Sequence, residues 1–235
     1  MTGQEHGEGG GEGVEQSARE LARWFVRLVE EVVEEELREH DHEHDGDGEH
    51  GRGGGGLTGK PLAPGATASP IDIKQTSVQT LTTAALGAAY VPAGDTPPTQ
   101  VIWQDHDGEV LVHLDQTQVV MFPGLVLVAL TLESDQTGAG QVIVPFAVGS
   151  PKSPAGLVAV TEPNPRGPQT LVDRWGQSTI AAAWQALLDV AHGLSLHAGV
   201  DQDGARLIPG ALSTDGTTLS VTPQARHAAD RIAAQ

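Results

Sequence analysis

The chain has 235 residues, with 31 Asp/Glu against 13 Lys/Arg, a formal net charge of −18 and no cysteine. The missing thiols exclude a disulfide framework and a thiolate metal site. A field of this sign repels phosphate backbones and anionic lipid, so neither nucleic acid nor membrane is an expected partner, whereas cations and basic protein surfaces are.

The charge is uneven: residues 1–56 hold 16 acidic residues against 5 Arg, and the remainder holds 15 against 8. The length allows one good core, or one core with an appendage. "MTGQEHGEGGGEG" has no basic cluster leading into an apolar run, and "FPGLVLVAL" is too short to span a bilayer as a helix. The expectation is a soluble, cytoplasmic protein.

Four segments follow in order: a Gly/Glu-rich N-terminus expected to be disordered (1–13), an amphipathic helix (14–39), an acidic His-rich and Gly/Pro-rich linker (40–69), and a β-rich globular body (70–235). In the helix, steps of 100° place Val14, Ala18, Leu21, Phe25, Leu28 and Val32 on one stripe. Ala22, Val29 and Val33 widen it, and Trp24 flanks it. The opposite face carries Arg19, Arg23, Arg27, Glu30, Glu31 and Glu34, and the 4-3-4-3-4 spacing is that of a short coiled-coil seam.

An isolated helix of this length is marginal in water, so the stripe needs a cover. Three covers are available: the same helix in another copy, a groove on another protein, or the chain's own body. The first two make Leu21, Trp24, Phe25, Leu28, Val29 and Val32 partner-binding candidates, with a protein partner or a homo-oligomer as the outcome.

"EHDHEHDGDGEHGRGGGG" alternates His40, His42 and His44 with carboxylates, and His50 follows. Such a run can hold a divalent transition metal weakly, but it has no apolar surround to fix a ligand geometry. Two familiar patterns inside it fail. The calcium-loop match starting at Asp41 has Arg52 at its twelfth position, and Gly46-x-Gly48-x-x-Gly51 follows a helix rather than a strand.

In the body, "VIWQDHDGEVLVHL" reads as a hairpin turning at Asp107-Gly108. This register pairs Trp103 with Val112 and Ile102 with His113. "LVLVALTLE" and "QVIVPFAV" are further strands, the first apolar on both faces and so expected to be covered on both. "GLVAVTE" is another strand. "STIAAAWQALLDVAHG" reads as a helix capped by Ser178 and stopped by Gly193, with Ile180, Trp184, Leu187, Leu188 and Ala191 buried.

"ALSTDGTTLSVT" is a second Asp-Gly hairpin. "TPQARHAADRIAAQ" suggests a closing helix with Thr222 as N-cap and Pro223 at its first position. The fold class is α+β, an antiparallel β-rich body with one or two packed helices.

The densest set of catalytic residue types is "DVAHGLSLHAGVD". Asp189 and His192 sit three apart on a helix, a spacing suited to a base and its orienter, and Ser195 is a candidate nucleophile. No P-loop, no H-E-x-x-H and no basic patch interleaved with aromatics occurs, so no cofactor is required; a divalent transition metal held weakly at the His-rich linker is an optional ligand. The reading is a non-enzymatic binding or assembly protein, in which the helix docks and the body supplies a second interaction surface. The alternatives are a hydrolase with its site near His192 and His197, and a metal-handling protein using the His-rich linker.

Overall fold

The computed structural model describes residues 25, 27–36, 38, 68–90, 98–105, 108–150, 158–198 and 206–226. Helix α1 is helical at residue 25, through 27–36 and at 38. Strand β1 (Ile71–Lys74), helix α2 (Gln75–Gly87) and a short 3-10 turn (Ala88–Tyr90) follow. Then come β2 (Gln100–Asp105), β3 (Gly108–Phe122), β4 (Leu125–Ser134), β5 (Gly138–Ala147) and β6 (Ala159–Val160). Helix α3 (Gln169–His197) leads to the closing hairpin of β7 (Arg206–Thr214) and β8 (Thr218–Arg226).

The strands make two antiparallel sheets, a five-stranded meander β2-β3-β4-β5-β6 and a three-stranded sheet β1-β8-β7. They meet at a corner where Gly149 donates to Leu212 O (2.8 Å) and accepts from Thr214 N (2.9 Å). The fold is α+β with an antiparallel, β-rich body, as the alternation of apolar and polar residues predicts. Among the described residues no helix is long and apolar enough to cross a membrane.

Period-two alternation sends Val110, Val112, Leu114, Val119 and Met121 of β3 to one face of the large sheet, with Val126, Val128, Leu130 and Leu132 of β4 and Val142, Val144 and Phe146 of β5. These meet Val78 and Leu81 of α2, Trp175, Leu187, Val190 and Leu194 of α3, and Leu212, Leu219 and Val221 of the small sheet in one core cluster. Arg174 of α3 ties this helix to β2 through both oxygens of Asp105 and lies 4.4 Å over the Trp175 ring.

Helix α2 carries four threonines and few strong helix formers, so packing rather than propensity holds it. It also finishes a strand. β3 runs 15 residues, but β2 pairs with it only from Gly108 to His113. Beyond the bulge between His113 and Gln118, Gln79 and Gln75 accept the Val119 and Met121 N–H groups at 3.4 and 3.3 Å. Two glutamines four apart on one helix face thus stand in for a missing strand.

Several local expectations shift. The first hairpin pairs Trp103 with Val110 and Ile102 with Leu111, two residues away from the Asp107-Gly108 register. An even slip keeps every side chain on its face, so the core pattern survives. Gly108 belongs to the strand at φ +153, and the Gln136 amide lies 2.9 Å from where a Cβ would stand.

Helix α3 begins at Gln169, nine residues before Ser178, and runs through Gly193 to His197. Its buried face is Leu171, Trp175, Thr179, Ala183, Ala186, Leu187, Val190, Ala191 and Leu194, and Trp184 is 42% exposed. Thr222 and Pro223 lie within β8 rather than opening a helix. Pro223 is tolerated because β1 pairs β8 in register only as far as Val221; beyond it the Pro223 carbonyl accepts the Ala68 N–H at 2.9 Å, and the missing proline N–H breaks no β1 ladder pair.

Candidate docking surfaces

Helix α1 is seated on the body. Phe25, Val29, Val32 and Val33 join the core cluster, with Val29 fully buried, and Leu28 packs against it partly exposed. The seat is a notch at Gly193 of α3, where an added Cβ would come 2.9 Å from Val29 Cγ2 and 3.0 Å from Phe25 Cε1. A glycine that reads as a helix stop is therefore a point of close approach inside a continuous helix. Of the three covers open to the stripe, the structure places the chain's own body there. Leu21 and Trp24 lie outside the described residues.

The far end of α1 is fastened by charge. Glu36, only 6% exposed, accepts the Lys74 N–H at 2.9 Å and the Ser77 hydroxyl, both through Oε1. Lys74 is the N-cap of α2 and makes no side-chain cap bond of its own; a carboxylate from α1 instead accepts the N-cap N–H, at the positive end of the α2 dipole. Among the described residues Glu36 Oε2 accepts no hydrogen bond, and it lies 4.0 Å from Lys74 Nζ. Val32, Glu35, Thr76 and Thr80 complete the walls of a cleft of about 210 Å³ at this joint.

The structure does not bring Asp189, His192 and Ser195 together. Asp189 accepts from Gln185 Nε2 at 2.8 Å, and His192 is exposed. Ser195 is fully buried and its hydroxyl donates to Ala191 O at 2.8 Å. A hydroxyl facing back into its own helix inside the core is not presented to a substrate. His197 is partly buried at the last residue of α3. His40, His42, His44 and His50 lie outside the described residues, and among the described residues no cluster of three metal-ligating side chains occurs.

Two exposed carboxylates are held in the ionised form. In the Pro-rich loop after β6, the Arg166 guanidinium beside Glu162 keeps that carboxyl below the usual carboxylate range. At the β7–β8 turn, Asp215 is lowered by the N–H groups of Thr217 and Thr218, each donating at 2.8 Å, and by the Thr217 hydroxyl.

The second face of the large sheet is a different surface. β4 is apolar on both sides, as its sequence indicates, but among the described residues a helical layer covers only one. Reading across the strands, Phe122, Leu125 and Ala147 form one row, and Val120, Leu127 and Pro145 the next. Gln118, Ala129 and Ile143 follow. Further along come Gln100, His113, Thr131 and Gln141, then Ile102, Leu111, Glu133 and Ala139.

None of Leu111, Val120, Phe122, Leu125, Leu127 or Ile143 joins the core cluster. Ile102 is 51% exposed, Phe122 49% and Val120 38%. At the polar end, Ile102, Leu111, Glu109, Glu133, Asp135 and Gln136 line an open groove of about 480 Å³. Its rim is tied by His113 Nε2 to Glu133 at 3.1 Å and Gln104 Nε2 to Glu109 at 3.2 Å.

The double-sided apolar pattern of "LVLVALTLE" was the one sequence signal for this face. The Glu36 joint and the Gln75/Gln79 pair carried no signal, because each acts on backbone about 40 residues away. No family model, no curated protein and no solved structure matches the chain.

Proposed function

We propose that this is a non-enzymatic binding or assembly protein, with the outer face of its five-stranded sheet as the interaction surface and the N-terminal helix as the segment that completes the body's core. The observation that carries the reading is the exposure of Ile102, Val120 and Phe122 on one sheet face, outside the core cluster. A patch of large apolar side chains rimmed by polar ones is the surface signature of a docking site. The buried, internally bonded Ser195 hydroxyl weighs against the hydrolase alternative.

A photo-crosslinking residue placed at Gln118, on this face, tests the reading against one at Ser178, exposed on α3. In the cells that make the protein, discrete adducts should form from position 118 and not from 178. Equal or absent adducts at the two positions would overturn the proposal.

A further inference from the structure

Taking that docking face as given, we infer that its partner is a basic, amphipathic polypeptide segment, apolar toward one end and cationic toward the other. The face is graded along the strands. Its Phe122 end is carbon-rich: Val120 and Phe122 are exposed and Leu125, Leu127 and Ile143 half-buried within three adjacent rows, around the buried Ala129 and Pro145. Its other end is the groove with Ile102 and Leu111 beside Glu109, Glu133 and Asp135.

Among the described residues no Lys or Arg occurs at any outer position of these rows, and the side-chain partners on the face are His113 Nε2 at Glu133 and Gln104 Nε2 at Glu109. A Lys or Arg side chain fits such a groove in both its parts, its methylene stem against Ile102 and Leu111 and its charged head among the carboxylates. The same field argues against a second copy as occupant. Each chain carries −18, and a face-to-face pair would either superpose two acidic ends or lay an acidic end over an apolar one.

From Glu133 to Leu125 the face runs eight residues of β4, about 26 Å at ~3.3 Å per residue. A helix of about 18 residues spans that length. Such a helix lying along β4 would cover both ends at once.

The test is fluorescence anisotropy of the full chain with a labelled 18-residue helical peptide, leucine-faced throughout and lysine-rich over one half, against a counterpart with glutamate for lysine. The lysine peptide should bind, weaken about tenfold or more between 50 and 300 mM salt, and lose a further tenfold or more on combined Glu109→Gln, Glu133→Gln and Asp135→Asn substitution. Phe122→Ser should weaken it by a similar factor. All four changes are on exposed or half-exposed side chains, and an unchanged melting temperature confirms intact folding.

Equal binding of the glutamate peptide would overturn the inference while leaving a docking face. Binding that survives the triple substitution would place the cation on the acidic N-terminal third instead and overturn it as well. Sedimentation equilibrium that finds a dimer, dissolved by Phe122→Glu, would assign the face to a second copy. Failure of both peptides together with absent adducts from position 118 would remove the docking face itself.

Discussion

Replacing Gly193 by alanine separates two opposed effects by sign. In a helix interior, alanine is better than glycine by about 0.8–1 kcal/mol, so on α3 alone the substitution stabilises. With α1 in place, the new methyl would sit 2.9 Å from Val29 Cγ2 and 3.0 Å from Phe25 Cε1. Neither neighbour yields easily: Val29 is β-branched and fully buried, and Phe25 is a ring in the same cluster. Overpacking of this kind costs about 1–3 kcal/mol, and contacts under 3.0 Å belong in the upper part of that range.

The net expectation is a loss of about 1–2 kcal/mol, read from urea denaturation of the full chain as a lower midpoint at unchanged slope. In a Val29→Ala background one of the two clashes is gone, so the cost of Gly193→Ala should fall by about 1 kcal/mol. That coupling is the signature of direct contact. A Gly193→Ala chain more stable than the parent by about 0.5–1 kcal/mol would refute the seating of α1 on α3.

Two further outcomes concern the fastenings of the fold. Glu36→Ala leaves the Lys74 N–H and the Ser77 hydroxyl without their acceptor in a partly buried joint, and should destabilise by about 1–2 kcal/mol by chemical denaturation. Ser77→Ala, which removes only one donor, should cost less, and a Glu36→Ala loss no larger than that of Ser77→Ala would contradict the role of the Glu36 joint. Asp215 has a carboxyl lowered in the folded state, so its contribution is complete above the unfolded pKa and is lost as pH falls through the folded one. Carboxyl NMR titration should place Asp215 below the ordinary aspartate range, and Asp215→Ala should remove part of the stability rise on leaving acid; a normal titration would contradict the turn geometry.

Much of the body was legible because its signals are local. Alternating residues in "EVLVHL" and "LVLVALTLE" name the strands and their inner faces, and a hairpin slip of two residues leaves those faces unchanged. Helix ends were less legible. Gly193 has the composition of a stop signal, yet its neighbour in space is Val29, 164 positions earlier in the chain. Pro223 follows a good N-cap residue, but it lies in β8 beyond the last β1 register pair, where its carbonyl accepts the Ala68 N–H, a position defined only by where β1 ends. Trp184 shares the stripe of Ile180, Leu188 and Ala191, but the core face of α3 is centred on Thr179, Ala183, Leu187, Val190 and Leu194 and leaves Trp184 at its margin.

The candidate surfaces divide in the same way. By itself the sequence determined that residues 14–39 carry an apolar stripe, that β4 is apolar on both sides, and that the chain is strongly acidic. These follow from periodicity and composition alone. Only the tertiary structure decided which apolar surface is covered and by what: α1 is received by the notch at Gly193 and the carboxylate joint at α2, while Ile102, Val120 and Phe122 of the outer sheet face stay exposed. The hydrophobic effect requires that apolar area leave water but is indifferent to direction and partner. Shape, close approach and a single buried carboxylate make the choice, and those exist only once distant segments have been brought together.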